Sequence, residues 1–231
     1  MNIGGKTKMN FNGKNMGKIL LGFLMLCFAF TACKKDNGRY DFVNEVNVYD
    51  GDVYAYLKGQ NQFDSLTKAI DRINGLKDWM TQENNLTVFA LTNRSFEVAF
   101  TGLNKVRAGQ NRSALGIATV DVSHLETLID RYVIKGKLTT DSLRFADGAF
   151  LRTARLDYEM NAVDKSSNAS GLVSGGPKSI IYSDVKNSQY TKDWISTTTQ
   201  AVNIHSKNAI VHIIAASHEF GFGEFVNRMN R

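Results

Sequence analysis

Two cysteines and one proline are all that 231 residues hold of either type. Two cysteines cannot build a disulfide framework or a four-cysteine zinc site. A lone proline, Pro177, excludes proline-rich linkers and polyproline ligand segments. The run Ile19 to Ala32 stops at 14 residues, short of the about 20 that cross a bilayer core. There is no P-loop, no GxGxxG, no CxxC and no HExxH, and Gly171-Leu172-Val173-Ser174-Gly175 puts its serine in the wrong place for a nucleophile elbow. The four histidines, 124, 205, 212 and 218, include no i, i+4 pair. No metal, no cofactor and no enzymatic chemistry are therefore expected. Hydrophobic residues at 43% and charged residues at 22% do describe a chain able to build a core.

A formal charge of +6 raises nucleic acid as a partner, until its distribution is read. Lys6, Lys8, Lys14 and Lys18 lie in the first 32 residues, where no acidic residue occurs; the rest carries 24 basic and 22 acidic residues, a net of +2. Nucleic acid is thereby removed from the expected partners. A basic stretch, a short apolar core and small residues before a break describe a secretory signal peptide over 1–32. The break, Thr31-Ala32-Cys33, resembles the bacterial lipobox, although Phe30 stands where that motif has leucine. The resemblance implies a lipidated Cys33, a tether over 33–46 and an outer-membrane location; a plainly cleaved signal with a chance cysteine is the alternative. Cys27, behind bulky Leu26, fits the motif poorly. Met1, Met9 and Met16 all stand as possible starts. Bacteroidetes-type lipoproteins carry acidic residues after this cysteine for surface export, and only Asp36 is present here, so surface and periplasmic faces both stay open.

Beyond the tether, apolar spacing predicts helices. Phe63, Leu66, Ile70 and Ile73 form one stripe, read as part of a helix from Phe63 to Met80 that Trp79 closes. Phe96, Ala99, Phe100 and Leu103 form a second, and Leu125, Leu128, Ile129 and Tyr132 a third, behind Ser123 and Glu126 in capping-box spacing. A short amphipathic turn covers Gly51 to Lys58. Strands are read at Leu86–Leu91, Ile180–Asp184, Ser196–Ile204 and Ala209–Ala215. The stretch 164–178 reads as a long hairpin connection within one domain. Helices first and strands later argue an α+β class.

Three segments, in order, resemble the fasciclin-like (FAS1) family. Thr87-Val88-Phe89-Ala90-Leu91-Thr92-Asn93-Arg94-Ser95-Phe96 is similar to the family's TVFAPTN-x-AF motif. Leu128 to Lys137 is similar to LLxYHVVPGK, and Asn203-Ile204 with Asn208 to Ile214 is similar to NI…NGVVHVID. The resemblance covers Val48 to about Phe225. It implies a single α+β domain over 47–226, with helices in the first half and a β-sandwich or wedge of short strands completed in the second. It also implies a non-catalytic role in adhesion or protein–protein contact. Leu91 and Lys135 replace prolines of the family pattern, and Arg131-Tyr132 stands where the family has the Tyr-His pair tied to adhesion. Thr92 or Asn93 is expected to cap the helix after the first strand. Asn208 and His212 are expected to be structural, with the imidazole locking the Asn208 turn.

Asp141, Asp147 and Asp157 read as solvated loop charges. Aromatic rings beside polar side chains suit sugars and protein contacts, which makes Tyr182, Tyr190 and Trp194, with the 164–178 connection, the expected binding edge. Rings that merely pad the core are the alternative. Two functions follow: a membrane-anchored lipoprotein that contacts extracellular or outer-membrane proteins or matrix, or an accessory of a TonB-dependent polysaccharide-uptake system that holds glycan or buttresses the transporter.

Overall fold

The computed structural model describes residues 47–145, 147–168 and 176–231. The signal segment, Cys33, the tether and positions 169–175 of the long connection lie outside the described residues. Helix α1 (Val53–Lys58) starts at Asp52, whose Oδ1 accepts from the Ala55 N–H at 2.9 Å. The single helix expected from Phe63 to Met80 is two helices, α2 (Asp64–Arg72) and α3 (Leu76–Gln82). Ile73 is extended and Gly75 takes φ +70°, a left-handed conformation that glycine adopts without a Cβ clash. The stripe crosses the break, because Leu66, Ile70, Ile73, Leu76 and Met80 are all buried. Apolar spacing reports which side is buried and is blind to a turn that keeps that side.

Helices α4 (Asn93–Gly109), α5 (Val122–Asp130) and α6 (Phe225–Met229) complete the helical layer. The cap of α5 is Asp121, not the expected Ser123. The Asp121 carboxylate accepts from the His124 N–H at 3.0 Å, and the Ser123 hydroxyl donates to the same carboxylate. Those bonds hold its pKa below the usual value.

The strands are β1 (Leu86–Ala90), β2 (Val133–Lys135), β3 (Ala149–Arg152), β4 (Glu159–Asp164), β5 (Ile180–Asp184), β6 (Ile195–His205) and β7 (Ala209–Ile214). They form one sheet in the order β2-β1-β7-β6-β5-β4-β3. β1 and β7 run parallel, and the other neighbours are antiparallel. This is the α+β architecture, with helices dominating the first half and a mixed sheet the second. Strand β6 is the bend. Register shifts between Thr199 and Ala201 and between Ala201 and Ile204 let its first half pair with β5 and its second with β7. The sheet curls so far that its ends meet: Ile134 bridges Thr153, and the Ala154 N–H donates to the Val133 carbonyl at 2.8 Å.

The three segments that carry the family resemblance include three adjacent strands. Val88 of β1 pairs with Val133 of β2 on one side and Val211 of β7 on the other. Inside the curl, Phe89 stacks on Tyr182 at 3.7 Å and Tyr132 stacks on Phe222 at 5.3 Å.

Candidate functional site

The residues singled out in the sequence divide between the interior and the surface. Tyr182 is fully buried, with its ring on Phe89 and its hydroxyl donating to the Arg131 carbonyl. Burial pushes its pKa well up. It is core, and it leaves the expected binding edge. Tyr190 is 70% exposed, with the Lys192 ammonium 5.6 Å from its ring centre. Trp194 is half-buried, and its indole N–H donates to the Ser188 carbonyl at 2.8 Å.

Three of the four motif residues are placed otherwise than expected. Thr92 sits at the start of α4 without a capping bond from its side chain. Asn93 caps the neighbouring helix: its Oδ1 accepts from the Ser65 N–H at 2.8 Å, and its Nδ2 donates to the Asn61 carbonyl at 2.7 Å. A side chain at a helix start tied down the start of α2, a choice that chain spacing cannot show. Asn208 is a buried hub, accepting from the Val53 N–H and donating to the Met80 and Glu83 carbonyls. His212 does not touch that turn. Its Nδ1 accepts from the Asn203 N–H at 3.2 Å and its Nε2 donates to the Leu138 carbonyl at 3.0 Å, which pins the β6 bulge. Both partners demand the neutral ring, and burial lowers its pKa to about 4.

A cleft of about 400 Å³ opens on the outer face of β3, β4, β5 and β6. Strand alternation builds it. Phe150, Asn161, Ser183 and Ser196 stand in register, one from each strand, because Phe150 pairs with Asn161, Asn161 with Ser183 and Ser183 with Ser196. Their neighbours Leu151, Met160 and Tyr182 point the other way, into the core. The Ser183 and Ser196 hydroxyls are 2.8 Å apart. Trp194, placed by the turn Thr191–Asp193, meets Phe150 edge-on at 5.7 Å and 86°. Gln189 and Thr191 also line the cleft. Past Phe150 and Gln189 lies a second hollow of about 650 Å³, bounded also by Arg152 and Glu159.

Of these lining residues, Trp194 alone was legible as a binding residue. Ser183 and Ser196 carried a faint signal, as hydroxyls inside apolar strands. Asn161 and Phe150 carried none, since β3 and β4 were not anticipated.

Beneath the cleft lies a buried charge cluster. Arg131 pairs with Asp184 at 2.6 Å and with Glu224 at 2.9 Å. Lys186 bridges the same two carboxylates, and the Tyr158 hydroxyl donates to Asp184 at 2.8 Å. Burial pushes the Glu224 carboxyl up, but bonds from Lys186, Arg131 and Arg228 outweigh it and hold the pKa at about 2. The Tyr132 hydroxyl shares a hydrogen bond with His218 Nε2 at 2.7 Å and accepts from the Gly221 N–H. Burial lowers the His218 pKa to about 4. Arg131 and Tyr132 are thus interior residues that tie the C-terminal segment to the sheet.

No protein-family model matches this chain, and no curated protein matches it. Among solved structures, it is similar to a FAS1 domain pair from the insect cell adhesion molecule Fasciclin I, with a TM-score of 0.49 and 10% identity. The match covers 71% of this chain and 49% of that one, so the chain spans about half the length of its structural neighbour. Among the described residues, no helix is long and apolar enough to cross a membrane, and no group of three or more His, Cys, Asp or Glu is placed to hold a metal.

Proposed function

We propose that this chain is a non-catalytic, fasciclin-like lipoprotein, held to a bacterial outer membrane by acyl chains on Cys33, that makes adhesive cell-surface contacts through the outer face of β3–β6. The observation that carries the contact surface is the Trp194–Phe150 corner. Phe150 is 57% exposed, yet it stands on a sheet whose register fixes it. Large rings with little freedom left to lose are efficient contact groups, because association then costs little side-chain entropy. The interior supports a scaffold role: His212, His218 and the Arg131 cluster are each engaged in bonds that join distant segments. The lipobox resemblance at Thr31-Ala32-Cys33 supports the anchor, since two or three acyl chains hold a protein stably where one does not.

Two variants test the two halves of this reading in cells that process lipoproteins. Cys33→Ser in the full chain should move the protein from the membrane to the soluble fraction; unchanged membrane retention overturns the anchor. Trp194→Ala should reduce attachment to neighbouring cells or matrix while membrane levels of the protein stay constant. Equal attachment by both forms overturns the contact surface.

A further inference from the structure

We propose that the cleft on β3–β6 is a saccharide site, taking a neutral polysaccharide with one sugar ring against Trp194 and its hydroxyls on Asn161 and the paired serines. The assignment rests on the reading of this face as the contact surface, and it names what the surface recognises.

Asn161 points to a ligand. It is fully buried and lines the cleft, and its Nδ2 donates to the Asp147 carbonyl at 3.3 Å. Its Oδ1 has no hydrogen-bond partner among the described residues. A buried amide oxygen left without a donor is unfavourable, and a ligand hydroxyl supplies that donor. Glycine at 148 avoids a clash beside this oxygen, since a Cβ there would stand 3.0 Å from it.

The other groups fit the same chemistry. In the Ser183–Ser196 pair one hydroxyl donates to the other, which leaves the acceptor's proton for an outside oxygen. Hydroxyls that both donate and accept match sugar hydroxyls, which do the same. Trp194 and Phe150 add an apolar corner, and the C–H face of a pyranose packs on such rings as other apolar groups do.

Charge and geometry argue against other ligands. Among the described residues that line the cleft the only formal charge is Asp147, so a phosphate or sulfate group meets no cation in that lining. A peptide adding as a strand needs a free sheet edge, whereas β4 and β5 are paired on both sides. The 400 Å³ cleft is of ligand-site size and continues into the 650 Å³ hollow, where Arg152 and Glu159 pair at 2.9 Å. Together the two hollows have room for more than one sugar unit.

The test uses the full chain in mild detergent, run through native gels containing xylan, mannan, pullulan, laminarin or dextran. At least one polysaccharide should retard the protein. Trp194→Ala should weaken that retardation at least tenfold. Gln189→Ala, at an exposed position, should weaken it about threefold with an unchanged melting temperature. Retardation by none of the five, or retardation that neither variant alters, overturns the assignment. Cell attachment that Trp194→Ala abolishes and excess polysaccharide leaves intact also overturns it, while the contact role stands. Polysaccharide binding by a protein that supports no attachment has the opposite meaning: the saccharide site stands and the contact role falls.

Discussion

Asn208 donates from Nδ2 to the carbonyl of Met80 at 2.7 Å, joining the turn before β7 to the last turn of α3. The same side chain accepts from the Val53 N–H at 2.8 Å and donates to the Glu83 carbonyl at 2.9 Å. One amide therefore satisfies the start of α1 and the end of α3. Asn208→Ala strands these buried groups, each at a cost of about 1–3 kcal/mol, so a loss of about 3 kcal/mol is expected. Asn208→Asp keeps the acceptor but sets a carboxylate against two carbonyls, and should lose at least as much. Urea unfolding measures both; a shift below about 1 kcal/mol in either contradicts the hub.

Arg131 is the second long-range tie. Its partner Asp184 is fully buried, and removing one member of a buried pair leaves the other uncompensated. Arg131→Met should destabilise the fold by about 3–5 kcal/mol. A denaturation midpoint within error of the wild type would show that the pair is dispensable.

The two buried histidines make stability depend on pH. Burial lowers both from 6.5 to about 4, so between those values the unfolded chain binds more protons than the folded one. Their contribution is complete above pH 6.5 and disappears as pH falls to about 4, by up to about 3 kcal/mol each. Glu224, lowered to about 2, acts further down: its stabilisation is complete above its usual 4.5 and disappears as pH falls through about 2. Unfolding free energy should fall as pH drops from about 6.5 to about 4, and less steeply in His212→Gln. A flat wild-type profile contradicts the neutral, hydrogen-bonded state of these rings.

Gly148 guards the cleft. Its φ is +73°, and a Cβ there would stand 2.4 Å from Val163 Cγ2 and 2.7 Å from the Ala162 carbonyl. Gly148→Ala should cost about 2 kcal/mol or more, since left-handed backbone alone costs an L-residue about 1–2 kcal/mol. Thermal unfolding tests this, and a melting temperature unchanged by the substitution contradicts the crowded turn.

The sequence showed the elements whose burial repeats and hid those defined by pairing. The stripes at Phe63–Ile73, Phe96–Leu103 and Leu125–Tyr132 gave the helical layer, and β-branched runs gave β1, β5, β6 and β7. Strand β2 has three residues, and β4 reads Glu-Met-Asn-Ala-Val-Asp, with too few strand-favouring side chains to register. In β5 both sets of alternating positions contain isoleucine, so Ile180-Ile181-Tyr182-Ser183 could not say which way Tyr182 points. Trp194 was legible because a large ring in a polar turn is conspicuous. Asn161 was not, because a lone strand asparagine gains meaning only from the three neighbours that register sets beside it.

The most direct test of the contact surface places a photo-crosslinking amino acid at Gln189, on the cleft, and in a second variant at Lys68, exposed on α2. Illumination of intact cells carrying the full chain should give a discrete adduct from position 189 and none from position 68. Equal labelling at both sites, or none at 189, would contradict the outer face of β3–β6 as the surface through which this protein acts.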